Sequence, residues 1–594
     1  MRVRRKHLTA VAAAAVSIAV LAGCTSVSDS TATGSSGGGT TAVAVSAGTS
    51  AADVLSANTA VHATADADPA GAVAITLSGA SATASGKGVT VNGRTVTVAA
   101  AGVYRISGTL TDGQVVVNAP DATVTLVLDG AHITSTTTAA IAATEVGALV
   151  VHLAEGSSND LADASSYAAE ADVNAALFSA GDLTITGPGE LSVKGNGNDA
   201  IASKDGLVIR SGTVTVTAED DGIRGRDYVV VDGGTVTATA GGDGLKADNT
   251  EDADAGFVAV SGGAVTVTAG GDGVDAATDV VLTGGTFAVT AGGGATTQPG
   301  DDTSTKGLKS GVISVLEGGT LTVDSSDDAV HSDGAIRVNG AAVTVASGDD
   351  GVHAESNLQL DKGTLKVTSS VEAVESATIT VNGGTIDLTS SDDGLNAAGA
   401  SPDSQQQGNG RGGGGEGVGP YIATINGGTI TINADGDGLD SNGTASITGG
   451  TVVVNGPVRS GNGALDVNGT FTISGGVVMG TGAVGMVAAP DTGSAQGWLS
   501  ANLDTAVEAG STLQIVDGGG TVLATFVVSK AMQNVVYSSS AVTKGQQYTI
   551  YKGGSASGST TGGLAASGTL GSAAKIATVT AGVAPARGMG RGRR

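Results

Sequence analysis

Apolar and polar residues alternate in short bursts along most of the chain. The segments "TVTVTA" (213–218), "TVTATA" (235–240), "AVTVTA" (264–269) and "TFAVTA" (286–291) bury every second position if one face is covered. Such alternation marks β-strands. Each burst follows Gly-Gly or Ser-Gly, residues that close one strand and start the next. Helix periodicity is nearly absent after the first twenty-odd residues, so the pattern predicts an all-β chain of many short strands.

The turns keep time. Gly-Thr pairs recur at 22 residues, as from Gly212-Thr213 to Gly234-Thr235 and from Gly428-Thr429 to Gly450-Thr451, with one step of 21 at Gly384-Thr385. Insertions at 250–256, 293–305 and 398–420 lengthen other steps. A fixed period built of strands and turns signals a solenoid. A 22-residue repeat suits one rung of a single-stranded parallel β-helix, with rungs about 4.8 Å apart. A calcium β-roll would repeat every nine residues, and this chain does not. The stretch 73–107 reads as an N-terminal cap. The period fails past Gly480, where "TLQIVDGGGTVLATFVVSK" (512–530) and "QYTIYKGG" (547–554) read as a small antiparallel C-terminal cap.

Composition narrows the partners. Glycine stands at 98 of 594 residues and aromatics at 2%, so the core must be small and β-branched. The N-terminus carries Arg2, Arg4, Arg5 and Lys6, a short apolar run, and Leu21-Ala22-Gly23-Cys24, which resembles a bacterial lipobox. The expected division is a lipoprotein signal (1–23), a lipidated Cys24 with a flexible tether (24–72), the β-helix (73–480), the cap (481–555) and a low-complexity tail ending in basic Gly/Arg residues (556–594). Localisation follows: outside the cell, anchored to the outer face of the cytoplasmic membrane by lipid alone. Cys24 is the only cysteine, so no intrachain disulfide exists. Without the signal, 24 Lys and Arg face 56 Asp and Glu. That excess excludes general nucleic-acid binding and favours cations as partners. A monomer is expected.

Stacking on the period lines up the acids. One column reads Asp199, Asp221, Asp243, Asp272, Lys306, Asp328, Asp350, Glu372, Asp393 and Asp437. A second, three positions on, reads Ala202, Arg224, Lys246, Asp275, Lys309, His331, His353, Glu375, Asn396 and Asp440. The aliphatic column between them should point inward and both polar columns outward. Unit charges about 4.8 Å apart repel by roughly 0.9 kcal/mol in water and about 3.5 kcal/mol at an effective dielectric near 20. Calcium can offset this, because twice its oxygen distance of about 2.3–2.6 Å matches the rung spacing. Asp220, Asp221, Asp243, Asp272, Asp327, Asp328, Asp349, Asp350, Glu372, Asp392, Asp393, Asp437 and Asp440 are the candidate calcium ligands. The competing reading has the same acids capping turns. Zinc on His331 and His353 is a weaker reading, with only two histidines and no cysteine.

The segments "GTLTDGQVVVNAPDATVTLVLDGAHIT" (108–134), "GGDGLKADN" (241–249), "DDGVHAE" (349–355), "NADGDGLDSNGTASITGGTVVVNGP" (433–457) and "VLATFVVSKAMQNVVYSSSAVTKGQQYTIYKGG" (522–554) resemble the secreted carbohydrate-binding β-helix lipoproteins of Gram-positive bacteria. The resemblance implies a right-handed parallel β-helix with bound calcium, binding of cellulose and polygalacturonate, and an architecture similar to pectate lyases. It implies Asp328, Asp350 and Asp393 as calcium ligands, and the chain departs from the pattern at "SVEAVES" (370–376) and Lys306. The expected function is polysaccharide binding through a calcium-loaded carboxylate face, with Arg224, Lys246, Lys309, His331 and His353 meeting the polymer. Two alternatives stand beside it. A calcium-dependent polyuronate lyase would use Lys246 or Lys309 as base; a surface spacer or adhesin would need no sugar site. Few aromatics are present to stack on crystalline cellulose.

Overall fold

A computed structural model of the protein describes residues 46–62, 70–168, 171–298, 304–399 and 417–585. The signal segment, Cys24, most of the 398–420 insertion and the last nine residues lie outside these ranges.

The alternating bursts form parallel rows. Thr213–Ala218, Thr235–Ala240, Ala264–Ala269, Thr286–Ala291 and Thr320–Ser325 pair in succession, position for position. Gly206–Ile209, Tyr228–Val231, Phe257–Val260, Asp279–Leu282 and Ile313–Leu316 make a second row. Ile223–Gly225, Leu245–Ala247, Val274–Ala276, Leu308–Ser310 and Val330–Ser332 make a third. Each strand therefore pairs with the third strand on, and each repeat gives one strand to each row. The result is an all-β protein with one large, mostly parallel sheet. The column Ile201, Ile223, Leu245, Val274, Leu308, Val330 and Val352 is fully buried between the rows, as the alternation predicts.

Antiparallel pairs stand at both ends. Val73–Gly79 pairs with Ala82–Ala84, and Val89–Asn92 with Thr95–Val98. At the other end Met532–Ser538 lies antiparallel to Val477–Gly482 and to Trp498–Val507. A separate six-stranded antiparallel sheet follows. It includes Ser555–Thr561, Leu564–Thr569 and Ala574–Thr580, inside the run that composition reads as a low-complexity tail. Ala, Ser, Thr and Gly offer too little hydrophobic contrast for those strands to stand out.

The same blindness hides a helix. Ala51–Ala57, within the stretch read as a tether, is helical, with Ser50 as N-cap and Asp53 completing a capping box. Ala47, Ala51 and Val54 pack with Val208, Tyr228, Phe257 and Ile313 of the second row. Asn58 Nδ2 donates to Asp279 Oδ2 at 2.8 Å, and Arg337 donates to the Thr49 carbonyl at 3.1 Å. Seven residues of small side chains become legible only against the outer sheet face they cover.

Candidate functional site

The third row carries the second polar column in register. Arg224 lies opposite Lys246, Lys246 opposite Asp275, Lys309 opposite His331, and His331 opposite His353. Further along, Glu375 lies opposite Asn396 and Asn396 opposite Asp440.

The acid column occupies the turns that enter this row, and its carboxylates cap the next turn. Oδ1 of Asp199 accepts from the N–H of Asp221 at 3.3 Å, Asp221 from Asp243 at 2.9 Å, and Asp243 from Asp272 at 2.8 Å. The pattern continues from Asp272 to Lys306 at 2.7 Å, Asp328 to Asp350 at 3.0 Å, Asp350 to Glu372 at 3.3 Å and Asp393 to Asp437 at 2.6 Å. The column therefore does not face outward as alternation suggests. Asp199 keeps 1% exposure and Asp328 keeps 3%, because the backbone of the following turn lies over each carboxylate. Turn capping and the charge ladder are both real: Oδ1 caps, and Oδ2 carries the uncancelled charge.

Over the first rungs basic side chains offset part of that charge, although burial still pushes Asp199 up to about 7 and Asp221 up to about 6. Lys246 Nζ lies 2.7 Å from Asp243 and 3.2 Å from Asp221. Lys309 lies 3.1 Å from Asp275 and 3.5 Å from Asp272; Arg224 approaches Asp199 at 3.8 Å. Lys306, which interrupts the acid column, binds Asp327 at 2.7 Å and Asp328 at 3.5 Å. Burial opposes the charge of Lys246 and Lys309, but the partner carboxylates outweigh it and raise both above the ordinary lysine range. A general base must first lose its proton, so neither lysine suits an elimination. All three cationic side chains are engaged by carboxylates while staying partly exposed, Arg224 at 32%, Lys246 at 25% and Lys309 at 33%. Lys246→Met should leave two buried carboxylates unpaired and lower stability by about 3–5 kcal/mol. Chemical denaturation checks this, and an unchanged midpoint would contradict it.

The histidines are held as firmly. Asp328 Oδ2 lies 2.8 Å from His331 Nδ1 and 3.5 Å from His353 Nδ1, and Asp350 Oδ2 lies 3.3 Å from His353 Nδ1. The two rings meet edge to face with centroids 5.0 Å apart. His331 is 8% exposed and its Nε2 faces Asp333 at 3.1 Å, so it does not present a free edge to a ligand chain. Burial disfavours its charge, but Asp328 and Asp333 overcome this and raise its pKa to about 9. Burial likewise works against Asp328, yet the two imidazoles hold its carboxyl well below the usual range.

Among the described residues, no Lys, Arg or His forms an ion pair with Glu372, Glu375, Asp393, Asp437 or Asp440. Burial, reinforced by neighbouring carboxylates, pushes Glu375 up to about 10, Asp440 to about 8, Asp393 to about 7 and Asp437 to about 6. Asn396 stands in the middle of this group with 6% exposure. Its Nδ2 donates to Glu372 Oε2 at 2.8 Å, while its Oδ1 is buried with no hydrogen-bond partner. A buried acceptor left unmet costs about 1–3 kcal/mol, and here it adds to surrounding anions. Carboxylate oxygens that no basic side chain among the described residues pairs with, beside the unmet Asn396 Oδ1, suit a hard divalent ion.

Two of the doubled pairs gather with a further acid. Asp220 and Asp221 meet Asp199, and Asp327 meets Asp328 and Asp349, each set with its donor atoms within 4.8 Å. Asp243 and Asp272 are instead occupied by Lys246 and Lys309. Glu375 and Asn396 are functional candidates absent from the expected ligand set. Both stand in the second column, whose basic members are the expected polymer contacts.

Residues 92–351 match the profile of a carbohydrate-binding domain family, described as "Carbohydrate-binding domain-containing protein". That match covers the first rungs and ends before Glu372. A curated relative from Acetivibrio thermocellus with the same description is 38% identical over 130 residues, 21% of this chain and 46% of its own length. The chain thus spans about half the length of the curated relative it matches. A solved structure, a gadolinium derivative titled as the polysaccharide lyase-like protein from C. thermocellum, is 28% identical. It covers 50% of this chain and 97% of its own, with a TM-score of 0.35.

Proposed function

We propose that this protein is a non-catalytic polysaccharide-binding lipoprotein built on a right-handed parallel β-helix. Glu372, Glu375, Asp393, Asp437, Asp440 and the Asn396 carbonyl hold calcium, and the ion bridges to the carboxylates of a polyuronate such as polygalacturonate. The observation that carries this reading is the buried, partnerless Asn396 Oδ1, set among acids that form no ion pair with a basic side chain among the described residues. An acidic chain repels an acidic polymer, so binding needs an intervening cation. The family match over 92–351 supports a carbohydrate as the ligand. Calcium here supplies positive charge and vacant oxygen-coordination positions; the chain's own residues supply the oxygen cradle. Asp328 and Asp350 fit this role less well than expected, since imidazoles occupy their free oxygens.

Retention on immobilised polygalacturonate in millimolar calcium, and release by a chelator, is the expected result. Retention that ignores the chelator sinks the bridge. Unsaturated sugar ends in the eluate would point to a lyase instead. The likeness of Leu21-Ala22-Gly23-Cys24 to a lipobox supports export and an anchor through Cys24, and Cys24→Ser should then release the protein into the medium. A variant that stays in the membrane fraction contradicts the anchor.

A further inference from the structure

A second metal chemistry lies on the rungs before the calcium set. Asp328 Oδ2, His331 Nδ1 and His353 Nδ1 converge, all within 4.8 Å of one another, and Asp350 Oδ2 joins from the next turn. Oxygen and nitrogen ligands about 2.0–2.2 Å from one ion stand about 2.8–3.6 Å apart in tetrahedral or octahedral arrangements. The separations here are 2.8, 3.5 and 3.3 Å. Both imidazoles turn the same nitrogen toward the shared carboxylate. Their far nitrogens face acids of their own, His331 Nε2 to Asp333 at 3.1 Å and His353 Nε2 toward Glu355 at 3.9 Å. A ligating histidine commonly keeps such a carboxylate on its other nitrogen, which fixes the ring and the tautomer.

We infer that Asp328, His331 and His353, with Asp350 beside them, form a site for a zinc-type transition-metal dication, which adjoins the oxygen-only set proposed for calcium at Glu375, whose carboxylate lies within 4.8 Å of the His353 and Asp350 donor atoms. Imidazole nitrogen suits zinc, nickel and copper, whereas calcium prefers oxygen alone. Asp328 and His331 are buried; His353 keeps 21% of its side chain exposed and lies on the solvent side, where a water or sugar oxygen can complete the coordination. Lys306 Nζ, 3.5 Å from Asp328, is the like charge that opposes the ion, and Asp327 draws it aside at 2.7 Å. Its nitrogen ligands separate it from the calcium reading: zinc uptake that saturating calcium leaves intact is expected whether or not the oxygen set beyond Glu375 holds calcium.

The test uses the full chain, stripped with chelator and titrated with zinc in millimolar calcium. Uptake of one zinc that calcium does not displace is expected, and cobalt(II) in its place should give the visible d–d bands of a mixed nitrogen–oxygen site. His331→Asn with His353→Asn should weaken zinc at least 100-fold. Asp333→Asn, which only orients His331, should weaken it about tenfold. Lys306→Met should tighten it, and Asp440→Asn should leave it unchanged. If the double variant does not melt cooperatively, the partly exposed His353→Asn alone carries the test, with at least a tenfold loss expected. No zinc uptake by the wild type overturns the site. So does displacement by calcium, or uptake unaffected by the histidine changes, which would leave the cluster as a shared-proton structural knot.

Discussion

Stripped of divalent ions, the protein should lose stability steadily as pH rises from about 5 to about 9. The sign follows from the raised acids. Glu375, Asp440, Asp393 and Asp437 have folded-state values near 10, 8, 7 and 6, above ordinary carboxyl values. Between the unfolded value near 4 and those folded values, the native state binds more protons than the unfolded chain. Stability therefore falls as pH climbs through that window and recovers as the acids are protonated. Most soluble domains behave the other way between pH 4 and 6, because paired carboxylates favour ionisation. Denaturant midpoints across this range decide it, and a flat or rising profile in chelator contradicts the uncancelled cluster.

Millimolar calcium should raise the melting temperature by several degrees and flatten that pH profile. A ligand bound only by the native state adds about 2.7 kcal/mol at a hundredfold excess over its dissociation constant. The gain is local. Glu375→Gln with Asp440→Asn should abolish most of the calcium shift while making the metal-free protein more stable at pH 8, because the fold no longer has to hold protons on two buried acids that the unfolded chain releases. Lys246→Met, on the first rungs, should lower stability with and without calcium. Coincident melting curves in calcium and chelator would leave the acids as turn caps alone.

How much of this was written in the chain differs by feature. The rows, the 22-residue register and the aliphatic column follow from period-2 alternation and turn glycines, because burial repeats identically on every turn. Register also placed the two polar columns, so Asp328 above Asp350 and His331 beside His353 were legible. Their burial was not. Alternation describes strand faces, whereas the acid column sits in turns, where the overlying backbone decides exposure. Which charges cancel was hidden for a related reason: Lys306 reads as an interruption of the column, yet it reaches Asp327 and Asp328 from its place in it. Glu375 reads as part of a departure from the Asp-Asp pattern, although burial and the neighbouring Glu372 and Asp350 raise it further than any other acid of the two columns. The helix Ala51–Ala57 and the strands past 555 escaped because small residues carry little contrast.

The most direct test of the calcium bridge is calorimetric titration of polygalacturonate oligomers into wild type and the Glu375→Gln/Asp440→Asn variant, each in millimolar calcium and in chelator. The account predicts binding by calcium-loaded wild type alone, with the folded variant and both chelated samples silent. Equal binding by the variant, or binding that persists in chelator, would contradict it.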